Sequence, residues 1–127
     1  MKVGIKNQIK KTVSSDLTAK AMGSGRLDVF ATPAMVAMME EAAHTSVEAE
    51  LEEGQGTVGT SMTVSHLAAT PVGMEVTCES ELIEVDGRKL VFEIKAMDEE
   101  GLIGEAKHER FIIDSEKFLA KTNAKLK

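Results

Sequence analysis

Tryptophan and tyrosine are absent from this chain of 127 residues, and four phenylalanines are its whole aromatic content. A core without large rings must be filled by aliphatic side chains. Eight methionines contribute to it, and unbranched, polarizable methionine suits a pocket that adapts to what it holds. A single cysteine, Cys78, excludes an internal disulfide and fits a reducing compartment. Basic side chains are the minority, 15 against 21 acidic ones, for a net charge of −6. That excludes nucleic acid as the main partner, since a phosphate backbone wants a basic face. No apolar run approaches the length of a membrane span, and Met1-Lys2-Val3-Gly4 opens no signal-peptide core. The expectation is a cytoplasmic protein with no membrane partner. Metal-ligand spacing of Cys and His, a Walker loop and a GxGxxG turn are also missing. No cofactor is expected, so any chemistry must come from ordinary side chains.

What is present is one long helical stretch, Phe30 to His44, around which the rest can be arranged. Thr32 has the right type for an N-cap, and Pro33 fits the first helical position, where a missing N–H costs nothing. Ala, Met and Glu favour helix in each turn. Met35, Met38, Met39, Ala42 and Ser46 follow helical spacing, while Val36, Ala37 and Val47 make the other side apolar too. A helix apolar nearly all round is buried. One carboxylate, Glu40, stands among those apolar neighbours.

The flanking pattern is strand-like. Lys2 to Val13 alternates loosely, and its lysines suit a sheet edge. Ser14-Ser15-Asp16 starts a short helix over Leu17 to Met22, and Gly23-Ser24-Gly25 is a link. The main helix fades around Glu48 to Glu52, and Gly54-Gln55-Gly56 ends it. Beyond it the period falls to two. Val58, Thr60, Met62, Val64 and His66 share one face of a strand over Thr57 to Leu67. Met74 to Val85 turns Met74, Val76, Cys78, Ser80 and Leu82 inward. Asp86-Gly87 is a hairpin signal, and Arg88 to Met97 returns with Leu90, Phe92, Ile94 and Ala96 on one face. The last strand, Leu102 to Ile113, puts its even positions on one face, Leu102, His108 and Arg110 among them. A short helix, Glu116 to Ala120, follows. One antiparallel sheet has one face to bury, and one buried helix is available to it. The expected fold is α+β and hotdog-like, a sheet wrapped around one long central helix, as a single domain over 1–127.

Several residues could carry chemistry. Glu40 either reaches solvent or an arginine, or is a partly desolvated nucleophile or general base whose pKa apolar neighbours would raise. His66 is either a core histidine or a ligand-facing one beside the small residues Ala68 and Ala69. Thr32 can cap the helix and also stand where free N–H groups suit a carbonyl oxygen gaining charge. Gly59, inside a strand, marks a bulge or a close approach. Arg110 points inward with His108 and needs an acidic partner on the main helix or a substrate group. Cys78 reads as core packing. Thr32 and Glu40, eight residues apart, are separated by about 12 Å along one helix. They serve different parts of a site, or a second subunit supplies the other copy. A half-wrapped helix also suggests a sheet that continues across a dimer.

The segments Phe30-Ala-Thr-Pro-Ala-Met-Val-Ala-Met-Met-Glu40, Gly59-Thr-Ser-Met-Thr-Val-Ser-His66 and Gly104-Glu-Ala-Lys-His108-Glu-Arg110 resemble the fluoroacetyl-CoA thioesterase family of hotdog-fold acyl-CoA thioesterases. The likeness extends from about Val13 to Phe118. It implies a homodimer or a higher assembly of dimers, with sites at the subunit interface and acyl-CoA as substrate. It implies that Thr32, Glu40 and His66 are catalytic: Glu40 attacks the thioester or activates water, His66 is acid and base, and Thr32 orients or stabilises the oxyanion. Gly59 would offer a backbone N–H and Arg110 would line the acyl end. The chain departs from the family's pattern in lacking a phenylalanine in Gly23-Ser24-Gly25-Arg26-Leu27-Asp28, which points to a more general acyl-CoA. Two other classes remain as alternatives. An enoyl-CoA hydratase or dehydratase of this fold would place an Asp on the helix, and there is none. An acyl-CoA binding module would need an output domain, for which the chain has no room.

Overall fold

A computed structural model describes residues Met1–Lys127. The elements are β1 (Lys6–Thr12), α1 (Ala19–Met22), α2 (Thr32–Ser46), β2 (Gln55–His66), β3 (Glu75–Asp86), β4 (Lys89–Asp98), β5 (Gly101–Asp114) and α3 (Ser115–Asn123). All five strands join one sheet in the order β1-β3-β4-β5-β2, each neighbour antiparallel. The sheet wraps α2, giving the hotdog fold. No helix is long and apolar enough to cross a membrane.

The core lies between α2 and the inner face of the sheet. Met35, Met38, Met39, Ala42 and Ala43 of α2 meet Val76, Cys78, Leu82, Leu90, Phe92, Ile94 and Ala96. Each fully buried methionine or leucine contributes about 1.5–3 kcal/mol, so three methionines in one helix do much of the work that rings do elsewhere. Cys78 is part of this packing, and burial pushes its thiol up to about 12. Polar anchors fix the far end of α2: Asn7 donates to the Ala42 carbonyl at 3.0 Å, and the Ser80 hydroxyl to the same oxygen at 3.2 Å.

Local structure departs from the simple alternation at several places, each with a physical cause. The stretch Leu17 to Met22 is not one helix. Thr18 breaks it, pairing with Phe30 and accepting from Ala21 N–H to cap α1. The two-residue hairpin loop is Gly87-Arg88 rather than Asp86-Gly87, with Gly87 supplying φ +62°. In β5 the register slips between Ala96 and Met97 of its partner, so Ile103 enters the core and Leu102 is exposed instead. In β2 it slips between Gly59 and Ser61, making Thr60 the extra residue of a bulge. Below that bulge the face inverts: Val58 pairs with the exposed Phe111, while Thr57 and Gly59 join Met62, Val64 and His66 facing the helix. The terminal helix is longer than Glu116 to Ala120, because the Asp114 side chain accepts from Lys117 N–H and caps it from Ser115.

Candidate active site

Helix α2 carries two of the candidates, one at its start and one in its third turn. Ala31, not Thr32, is the N-cap: its carbonyl accepts from Met35 N–H at 3.0 Å, and Pro33 follows in the first turn. The Thr32 hydroxyl is therefore free of capping and lies 2.7 Å from His66 Nδ1. His66 stands at the end of β2, opposite Gly104 of β5. Its other ring nitrogen, Nε2, is shielded from solvent and has no hydrogen-bond partner. Burial lowers the His66 pKa from its ordinary value of 6.5, opposed by a weaker interaction with the Ala68 backbone that falls short of a hydrogen bond, so the ring is mostly neutral at pH 7. A neutral imidazole has one lone pair, which can take a proton during a reaction.

The second group gathers around Glu40. Its Oε2 accepts from Arg110 Nη1 at 3.1 Å and lies 3.9 Å from His108 Nε2. The side chain keeps 42% exposure. Its immediate surroundings are thus a guanidinium and an imidazole, not the apolar neighbours that helical spacing suggested. Apolar residues flank Glu40 along α2, but its side chain reaches past them to β5. Arg110 is 6% exposed and needs this acidic partner; burial lowers its pKa and Glu40 opposes that.

Gly59 makes room for the carboxylate. A Cβ there would stand 2.7 Å from Glu40 Oε2 and 3.2 Å from both Arg110 Nη1 and His108 Cε1. Both readings of this glycine hold, since it borders the bulge and admits a close approach.

The five candidates therefore form two groups, Thr32 with His66, and Glu40 with Gly59 and Arg110. One chain does not unite them. Gly59 and His66 are seven residues apart on β2, about 20 Å after allowing for the bulge. Of the second group's other residues, the sequence pattern shows His108 but not Thr57. Thr57 donates no pattern of its own, and it holds the Arg110 guanidinium through both its hydroxyl and its carbonyl. His108 was visible only as an inward histidine. The bulge hid Thr57, because simple alternation from His66 puts it on the outer face.

The chain is similar to known proteins. The family model of the fluoroacetyl-CoA-specific thioesterase matches residues 13–116. The fluoroacetyl-CoA thioesterase of Streptantibioticus cattleyicolor is 45% identical over 98 residues, covering 77% of this chain and 70% of that protein. A crystal structure of an alanine variant of the fluoroacetyl-CoA-specific thioesterase superposes with a TM-score of 0.92 at 37% identity, over 98% of this chain and 97% of that one. The same kind of variant in complex with fluoroacetate and CoA gives 0.88 at 37% identity, over 93% and 99%. A thioesterase superfamily member from Thermus thermophilus gives 0.88 at 28% identity, over 95% and 90%.

Proposed function

We propose, from the premise that this chain belongs to the fluoroacetyl-CoA-specific thioesterase family, that Glu40, His66 and Thr32 carry out its chemistry. The chain is a thioester hydrolase: acyl-CoA and water give a carboxylic acid and CoA. The observation that carries the assignment is a pair of atoms with no partner within the protein. His66 Nε2 is buried without a partner, and the hydrogen bonds of Glu40 run through Oε2 alone. Glu40 Oε1 is left to act. It either adds to the thioester carbonyl carbon, expelling CoA thiolate and leaving an anhydride for water to cleave, or takes a proton from the water that adds. In the first route His66 takes a proton from the water that cleaves the anhydride and gives it to the CoA thiolate; in the second it relays to the departing sulfur the proton that Glu40 took from water. In both the Thr32 hydroxyl orients the imidazole. The N-terminus of α2 stabilises the negative oxygen of the tetrahedral intermediate.

The separation of the two groups supports a homodimer. Strand β2 is a sheet edge of 12 residues, and an unpaired edge is a template for a second chain. Antiparallel pairing of two β2 edges about a dyad at Thr63 would, counting the bulge, set Gly59 of one copy opposite His66 of the other. Glu40 would then share a site with the second copy's imidazole. A cytoplasmic location accords with the lone buried thiol.

A general acyl-CoA is the proposed substrate, in preference to fluoroacetyl-CoA. Between Gly23 and Val29 no side chain is aromatic, and Phe30 is buried in the core. The test is thiol release from short, branched, aromatic and long acyl-CoAs. Glu40→Gln and His66→Ala should each abolish turnover while far-UV dichroism and dimer mass stay those of the parent. Full turnover after both changes overturns the assignment. Enoyl-CoA hydration, or tight CoA-ester binding without turnover, would do the same.

A further inference from the structure

We propose that Thr57 and His108 are positioning residues that act through Arg110 to divide the two oxygens of Glu40, fixing Oε2 and leaving Oε1 to the thioester. The proposal rests on the reading of Glu40 given above.

Arg110 has three nitrogens to place, and Thr57 takes two of them. Nε donates to Thr57 Oγ1 at 2.8 Å and Nη2 to the Thr57 carbonyl at 3.0 Å. A planar guanidinium held at two points on one residue has its plane fixed. Only Nη1 remains, and it is presented to two acceptors at once, Glu40 Oε2 at 3.1 Å and His108 Nε2 at 3.1 Å. Arginine cannot accept, so His108 Nε2 must be the unprotonated nitrogen. The ring proton is then on Nδ1, which donates to the Ser61 carbonyl at 2.8 Å. That carbonyl belongs to the residue that follows the bulge at Thr60. His108 is thus a neutral acceptor of one defined tautomer, and burial together with Arg110 holds its pKa below the ordinary value.

The consequence for Glu40 is directional. With Oε2 bound to the guanidinium and Gly59 leaving no Cβ in the way, the carboxylate has one seat. Arg110 serves the carboxylate from within the chain, and four of its five N–H donors are committed there, leaving one Nη2 hydrogen for a substrate group. The other titratable groups near Glu40 do not compete. His44, one turn along α2, pairs with Glu48 at 3.3 Å, and the inner face of β2 carries only His66, at its far end.

Thr57→Val removes the hydroxyl while keeping shape and carbonyl. It should lower kcat about tenfold with KM unchanged, the scale of one weakened charge-assisted bond. Thr57→Ser should restore kcat. His108→Asn, which keeps a donor for Ser61 and takes away the acceptor at the Nε2 position, should repeat the pattern if the valine variant folds poorly. Thr57→Val and His108→Asn that keep the parental kcat overturn the proposal. So does a loss that falls on KM as well as kcat and tracks a fall in melting temperature, the mark of a structural role alone. If Glu40→Gln itself turns over normally, the reading of Glu40 fails instead, and the two failures are told apart.

Discussion

The Thr32 hydroxyl lies 2.7 Å from His66 Nδ1, linking the first turn of the central helix to the end of a sheet-edge strand. The contact replaces the cap that a threonine before a proline would otherwise make. Thr32→Val should therefore cost little stability, within about 0.5 kcal/mol, where loss of a true cap costs about 1 kcal/mol. Turnover should fall roughly 10–100-fold, since the imidazole loses its orienting partner. Chemical denaturation and thiol release on one preparation separate the two. A large stability loss with intact turnover would return Thr32 to a capping role.

Gly59→Ala should lower activity far more than stability. The backbone at Gly59 is not in the left-handed region, so alanine is conformationally allowed and reduces unfolded-state entropy. The atom it would strike first, Glu40 Oε2 at 2.7 Å, is the end of a flexible side chain, while buried Arg110 and His108 stand at 3.2 Å. The expected protein melts somewhat lower than the parent, since the displaced carboxylate leaves the buried guanidinium without its acid, and hydrolyses at least tenfold more slowly, because the carboxylate has been pushed from its seat. Unchanged kcat would show that the recess is not needed.

Acid should destabilise the fold from about pH 6.5 downward through both inner histidines. His66 and His108 have pKa values below the ordinary 6.5, chiefly from burial. As pH falls past 6.5 the unfolded chain takes up protons that the native chain refuses, so stability present above that value drains away until the native pKa values are passed. Melting temperature followed from pH 8 to 5 should show this slope, and His108→Asn should flatten it. A slope that His108→Asn leaves untouched would assign it to other groups.

Thr63→Cys offers a direct reading of the dimer. At the proposed dyad residue 63 faces its own copy, at a Cβ separation that a disulfide can close. The native Cys78 is buried and will not compete. Mild oxidation should yield a covalent dimer on non-reducing gels that retains turnover. Monomer under those conditions, from a protein that sediments as a dimer, would move the interface elsewhere.

Most of the architecture was legible in the residues. A helix apolar on every side has to be enclosed, and Val76, Cys78, Leu82, Leu90, Phe92 and Ile94 alternate cleanly enough to show which faces enclose it. The ion pair between Arg110 and an acid of the main helix was also legible, since a buried guanidinium requires one. The failures came where the period of two is interrupted. Bulges at Thr60 and Ile103 each shift a strand by one residue; Gly59 marks the first without giving its register, and no local residue type announces the second. Thr57 and Leu102 were misfaced for that reason alone. The joining of Thr32 to His66 rather than to its own helix was hidden as well, because a cap and a long-range bond ask for the same hydroxyl.

The extra residue at Thr60 has a bearing on how relatives of this chain should be compared. Paired at the same length but without that bulge, β2 would turn Val58 toward the helix, and two methyl groups would occupy the hollow that now receives a carboxylate. A homologue that keeps every candidate residue by name, with its strand running in plain alternation from His66 to Val58, has no room to seat its acid.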